Sequence, residues 1–283
     1  TSYDRQPSYK ISFIDCKFIN NEHKSTDTYS FGGGAFQFGQ TATAYFEIYM
    51  EGCLFEGNSA LRGGGALSLG RLQNNAKNQP MTIRDCIFNN NTAKEDFAGA
   101  IRIFNDDVET ITIEGCKFDG NYGLADDNGE DKGSAIYISY SKTASSSNIV
   151  EIHSNCVFHN NYNPNDNNRK RSYAIYTESP VFSINCSSIS ADNIAYRTSG
   201  IIFAGSNSQN SVYNVSFYKC KSTDLKAHAI HIQNEPASVE ISSCTFTWCG
   251  FGDGEVSNDM PYIIHDEGKN TIIDVCSFIG GAE

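Results

Sequence analysis

The segment CLFEGNSALRGGGALSLG, Cys53 to Gly70, is restated as CIFNNNTAKEDFAGAIRIF from Cys86 to Phe104, with most other residues changed. The shared skeleton is Cys-x-Phe-x-x-Asn followed by Gly-Ala-apolar-x-apolar. A catalytic motif has no reason to recur at intervals, whereas a unit that buries its apolar face only against its own copies does. Aligning on Cys-x-Phe places anchors at Cys16, Cys53, Cys86, Cys116, Cys156, Cys186, Val215, Cys244 and Cys276, spaced by 37, 33, 30, 40, 30, 29, 29 and 32 residues. That is the period of a solenoid.

An alternating apolar segment precedes each anchor, as in MTIRDC, ITIEGC and VEISSC. Met81, Ile83, Cys86 and Phe88, like Val239, Ile241, Cys244 and Phe246, fall on one side, provided that a small offset sits just before the cysteine; alternation at period two is a strand with one buried face. A second segment recurs as GGGAFQFG, GGGALSLG, AGAIRIF, GSAIYIS, YAIYTE, AHAIHIQ and YIIHDE. Here Phe36 and Phe38, Leu67 and Leu69, Ile101 and Ile103, Ile136 and Ile138, and Ile230 and Ile232 face inward. No stretch has helical periodicity. Short strands separated by Gly, Asn and Asp turns fit rungs of an all-β, single-stranded parallel β-helix of about nine rungs, a rod of about 40 Å at one rung per 4.8 Å. A sandwich of hairpins leaves the period unexplained. Residues 1–283 therefore read as a single parallel β-helix domain. Because the chain opens at Thr1 and stops within another repeat, CSFIGGAE, it also reads as a piece of a longer protein.

The recurrent residues have structural roles. An inward cysteine is small enough to stack on itself, and the phenylalanine two residues on fills the wider part of the cross-section. Asn21, Asn58, Asn91, Asn121 and Asn161 close the strand, taking left-handed geometry while their amides bond the turn or the next rung's asparagine. Gly-Gly-Ala at 33–35 and 64–66 supplies a corner with positive φ and no bulk.

The pairs Phe18/Asn21, Phe55/Asn58, Phe88/Asn91, Phe118/Asn121 and Phe158/Asn161, alternating with Gly-Gly-Ala-apolar at 33–36 and 64–67, resemble the repeats of the polymorphic outer-membrane protein family. The match is close over about residues 10 to 180 and decays beyond, where AHAI and YIIH replace Gly-Gly-Ala. The resemblance implies a right-handed β-helix, surface-exposed or secreted, of a kind that often serves as an adhesin or autotransporter passenger. It brings no catalytic residues with it.

A net charge of -12, with Arg169-Lys170-Arg171 the one basic run, argues against nucleic acid as a partner. No apolar run approaches the roughly 18 to 20 residues that cross a bilayer as a helix. The variable residue of the second strand runs Gln37, Ser68, Arg102, Tyr137, Tyr176, Phe203, His231 and His265 up one outer face. From Tyr137 it becomes an aromatic and imidazole stripe that sugar rings could stack on, or that a covering element could protect. His231 and His265, with Asp266 beside the second, lack a third outward ligand. The acidic run Asp126 to Asp131 lacks the spacing of a calcium loop. No catalytic residue, metal ligand or cofactor is assigned.

The expected function is adhesion or extracellular scaffolding without an enzyme site, at the cell surface or outside the cell. Glycans, or a host or neighbouring surface protein, are the expected partners, with self-assembly through the β-helix ends. The alternatives are a carbohydrate-active lyase or hydrolase of this architecture, or a building block of an extracellular filament. Asn90, Asn185 and Asn214 head glycosylation sequons. The anchor cysteines Cys53, Cys86, Cys116 and Cys156 are expected to be buried free thiols in one stacked column. In FYKC and FTWC, however, Cys220 and Cys249 replace the strand-closing asparagine in adjacent rungs, and a disulfide between them is expected at an exposed turn.

Overall fold

The computed structural model describes residues 8–25, 32–38, 45–69, 80–95, 98–104, 110–123, 135–139, 149–161, 172–190, 198–220, 227–249 and 262–280. These residues form strands and corners, with no helix among them, and so no helix long and apolar enough to cross a membrane. The strands assemble into a parallel β-solenoid. A first sheet of nine strands runs from Ser8–Ile14 to Thr271–Asp274, and a second of nine from Lys17–Ile19 to Ser277–Ile279. A third, of eight, runs from Phe36–Phe38 to Tyr262–Asp266. Each strand pairs in parallel with the same segment of the preceding and following repeats, as Phe88 does with Phe55 and Phe118. Short strands such as Ser59–Ala60 and Gly63–Gly64 line the corner between the second and third sheets in the early rungs.

The expected offset at each anchor is left-handed backbone, at Asp15, Gly52, Asp85, Gly115, Asn155, Cys186, Asn214, Ser243 and Val275, with Ser154 left-handed as well beside Asn155. This geometry turns the chain so that the apolar positions on both sides of the corner keep facing inward. It also corrects one anchor. Cys186 is itself the corner residue, at φ 44°, and Ser187 takes the buried position in the column. Pairing of Phe158 with Ile189, two residues after Ser187, fixes that frame.

The inward column of the second sheet is a stack of rings. Phe18, Phe55, Phe88, Phe118 and Phe158 follow one another at centroid separations of 4.7–4.8 Å with interplanar angles of 2–4°. Phe217, Phe246 and Phe278 resume it. Beside it runs a ladder of buried asparagines. The Oδ1 of Asn91 accepts from the backbone N–H and the Nδ2 of Asn58, and its Nδ2 donates to Phe55 O and Asn121 Oδ1. Asn58 and Asn121 repeat this set, so the polar side chain that closes each strand is satisfied by its own copies. The ladder asparagines are not themselves left-handed, as the sequence suggested. That conformation falls on the residue before each: Asn20, Gly57, Asn90, Gly120 and Asn160.

The Gly-Gly-Ala corners also differ in cause from the expectation. Of their glycines, Gly33, Gly34, Gly64 and Gly65 have ordinary φ; a Cβ on Gly64 would overlap Leu67 O, and one on Gly65 would overlap Gly99 O. Close backbone approach, within the corner at Gly64 and from the next rung at Gly65, rather than left-handed geometry, excludes a side chain there.

At both left-handed corners of the early rungs an oxygen-bearing side chain alternates with glycine. Asp85 Oδ1 lies where a Cβ of Gly115 would sit, as Asp15 Oδ1 does over Gly52 and Asn90 Oδ1 over Gly120. Gly115→Ala is therefore expected to cost about 1–3 kcal/mol, from left-handed strain and displacement of Asp85. In an Asp85→Gly background the cost should fall, because only the strain remains. Equal costs in the two backgrounds would show that Asp85 is not what the glycine accommodates.

Candidate functional site

The third sheet carries the stripe singled out in the sequence. Strand register places Gln37, Ser68, Arg102, Tyr137, Tyr176, Ile202, His231 and His265 in one column. Phe203 is not in it. That residue pairs with Thr177 and Ile232 and is buried in the core, so Ile202 holds the outward place. Three consecutive apolar residues, Ile201 to Phe203, let the period-two frame slip by one, which turns every side chain over.

Much of the column is covered. Tyr137, Ile202 and His231 are 3%, 1% and 5% exposed, and Ile202 packs in a small apolar cluster with Tyr173, Ala204 and Tyr176 outside the main core. The Arg102 guanidinium lies 3.7 Å from the centroid of the Phe104 ring. Tyr137 and Tyr176 are tilted against each other at 5.2 Å and 37°. Tyr176 and His265 keep part of their surface in solvent, so the face open to a flat ligand is narrower than the sequence stripe implies.

Toward its last strand the column changes chemistry. His231 and His265 are register partners, yet their rings meet at 62°, unlike the near-parallel phenylalanines. Glu267, on the side of the strand shared with His265, brings Oε1 to 3.7 Å from His265 Nδ1. One ligand-type atom from each of His231, His265 and Glu267 lies within 4.8 Å of the others. Gln233 Nε2 is 3.0 Å from His231 Nδ1, and the Tyr262 ring stacks on His265 at 5.8 Å and 22°. The sequence reading considered Asp266, the immediate neighbour, which instead accepts from Gly268 N at 2.7 Å. The signal it passed over was period two: His-x-Gln at 231–233 and His-x-Glu at 265–267 put both partners on the histidines' face.

The cysteines form the other chemically distinct columns. Cys53, Cys86, Cys116, Cys156 and Cys244 are buried free thiols in the main core. Burial pushes the thiols of Cys53 and Cys244 up to about 11. Cys220 and Cys249 do occupy the asparagine position in adjacent rungs, but that position faces the core, and both are free thiols. The hydrogen bond with the Cys249 thiol and, after it, burial raise Cys220 well above the ordinary thiol range. The two corners follow strands Ser216–Tyr218 and Thr245–Thr247, which pair one rung apart, and that step of about 4.8 Å is wider than the ~3.8 Å between Cβ atoms that a disulfide prefers.

Two results follow. Thiol reagents should reach Cys16, Cys186 and Cys276, which are partly exposed, and label the seven buried cysteines only on unfolding. Rapid labelling of Cys86 or Cys116 in the folded chain would contradict the packing. Since Cys53 and Cys244 rise from 9.0 to about 11, the folded state holds their protons longer than the unfolded chain does. Their contribution to stability is complete below pH 9 and lost as pH rises toward 11. Cys53→Ala should flatten that alkaline decline.

Of the sequon asparagines, Asn90 and Asn214 are exposed at left-handed corners, whereas Asn185 is partly buried at the end of strand Val181–Asn185. The acidic run at 126–131 and the basic run at 169–171 lie outside the described residues. Comparison of the chain with protein-family models, curated proteins and solved structures found no match in any of the three.

Proposed function

We propose that the chain is a non-enzymatic β-helix of the cell surface or extracellular space, acting in adhesion or as a structural scaffold. The observation that carries this reading is the contrast between inside and outside. The phenylalanine stack and asparagine ladder are rebuilt in rung after rung, while the outward positions beside them vary freely. Outer charges are drawn into pairs between rungs, such as Arg84 with Glu114 at 2.9 Å and Lys269 with Glu235 at 2.6 Å. A stiff rod with a freely variable skin suits presentation and attachment. The Phe-x-x-Asn and Gly-Gly-Ala repeats add the resemblance to polymorphic outer-membrane proteins, and with it the right-handed, surface-exposed or secreted character.

Within this reading Tyr176 is the aromatic best placed to meet a glycan, since it is the partly exposed tyrosine of the column. Passage through a eukaryotic secretory pathway would place sugar on Asn90 and Asn214 before Asn185. The test pairs binding with turnover. Beads coated with the chain should attach saturably to arrayed glycans or to cells, and Tyr176→Ala should weaken attachment to glycans. Release of new reducing ends or unsaturated products from a polysaccharide panel would instead make the chain a carbohydrate-active enzyme.

A second reading, the filament unit, is favoured by the last described rung, where Ile273 and Phe278 expose about half their surface. A further rung, from the same chain or another copy, would cover them. Sedimentation that becomes faster with concentration supports the filament, and a constant value counts against it.

A further inference from the structure

We propose that His231, His265 and Glu267 form a binding site for a divalent transition metal of the zinc type. Two imidazoles and a carboxylate are the donor set that such ions take, whereas calcium and magnesium require mostly oxygen ligands. The three residues come from neighbouring strands and the turn that follows. His231 lies on Ala227–Ile232, His265 on the paired strand Tyr262–Asp266, and Glu267 just beyond it.

Three features of the geometry suit a cation better than ordinary packing. The donor atoms lie within 4.8 Å of one another; ligand bonds of about 2.0–2.2 Å bring tetrahedral donors to roughly 3.4 Å, a closure that side-chain rotation of exposed Glu267 supplies. His265 Nδ1 is buried and has no hydrogen-bond partner among the described residues, and Glu267 Oε1 stands off at 3.7 Å. Buried polar atoms are normally satisfied, and a cation held beside the carboxylate would satisfy this nitrogen. The rings also meet edge to face at 62°, where every phenylalanine pair of the core stack is parallel within 6°, so the imidazoles do not follow the face-to-face stacking of the rest of the solenoid.

The surroundings would hold the ligands in place. With the Gln233 amide turned so that its oxygen faces the ring, it accepts from His231 Nδ1–H and leaves Nε2 for the metal; that amide orientation is interchangeable with the other. The Tyr262 ring lies against His265 and fixes its plane. Three protein ligands leave a fourth position for water or for a group from a partner. The bound ion would tie together the last two strands of the third sheet.

The experiment is titration of the intact chain with Co²⁺ as a spectroscopic stand-in, followed by displacement with Zn²⁺. One equivalent should produce the visible bands of tetrahedral cobalt, without the thiolate charge-transfer absorption that the cysteines would give. Zn²⁺ should raise the midpoint of thermal unfolding. Glu267→Gln, at an exposed position, should weaken binding by at least about tenfold, and His265→Gln should abolish the bands. Gln233→Ala should weaken affinity by about 10- to 100-fold while keeping the same spectrum. No saturable uptake by the folded chain, thiolate absorption, or binding unchanged in Glu267→Gln would each overturn the assignment.

Discussion

Asn91→Ala is expected to lower the unfolding free energy by about 3–5 kcal/mol. Asn91 is fully buried and its side chain makes four hydrogen bonds: it accepts from the backbone N–H and Nδ2 of Asn58 and donates to Phe55 O and Asn121 Oδ1. Each bond contributes about 0.5–1.5 kcal/mol net, and truncation also strands the Asn58 N–H and Phe55 O away from water. The Asn91→Asp variant separates hydrogen bonding from shape. An ionised carboxylate keeps the acceptor but turns an oxygen toward Phe55 O and Asn121 Oδ1, so burial and missing donors raise its folded pKa above the unfolded value. Stability is then greatest below the unfolded pKa, near 4, and declines as pH rises through the folded value. Chemical denaturation at two pH values measures both effects. A loss below about 1.5 kcal/mol for Asn91→Ala would mean that the ladder is decoration on a fold held by its apolar core.

The second large effect is expected of Phe88→Ala, at about 3–5 kcal/mol. The ring lies between Phe55 and Phe118, 4.8 Å from each and within 4° of parallel, so its loss opens a cavity walled by two flat faces that cannot collapse toward each other without moving whole rungs. Phe88→Leu should recover part of the loss. Because each rung touches mainly its neighbours, a lesion at this point should also split unfolding into two transitions, one for each side of the break. A single sharp transition with less than about 1 kcal/mol lost would contradict the stack.

The reach of the sequence differs between the inside of the rod and its outside. Cys-x-Phe, Phe-x-x-Asn and the paired apolar residues of the third sheet announced the core because each meets its own copy, so local pattern and tertiary contact carry the same information. Where identity and pattern disagreed, pattern was the better guide: at Ser-Ile-Asn-Cys-Ser the visible cysteine drew the alignment, while the alternation of Phe182, Ile184, Ser187 and Ile189 marks the real frame. Phe203 was misplaced for the converse reason, since three apolar residues in succession have no frame of their own. The cover over Tyr137 and Ile202 depends on contacts between separate parts of the chain, which no local pattern reports. Glu267 was within reach, two residues from His265, but its convergence with His231 depends on the turn after the strand.

Equivalent positions of the solenoid climb one axis by a constant step. Lys17, Lys117, Ser216 and Ser277 are exposed members of one column of the second sheet, linked through strand register. Spin labels at Lys117 and Ser277, Lys17 and Ser216, and Lys17 and Ser277 span five, six and eight register steps. Their separations, measured by pulsed electron resonance, should be about 24, 29 and 38 Å, in proportion to the number of 4.8 Å steps. Separations that fail to rise with step number, as in a sandwich that folds back on itself, would contradict the solenoid.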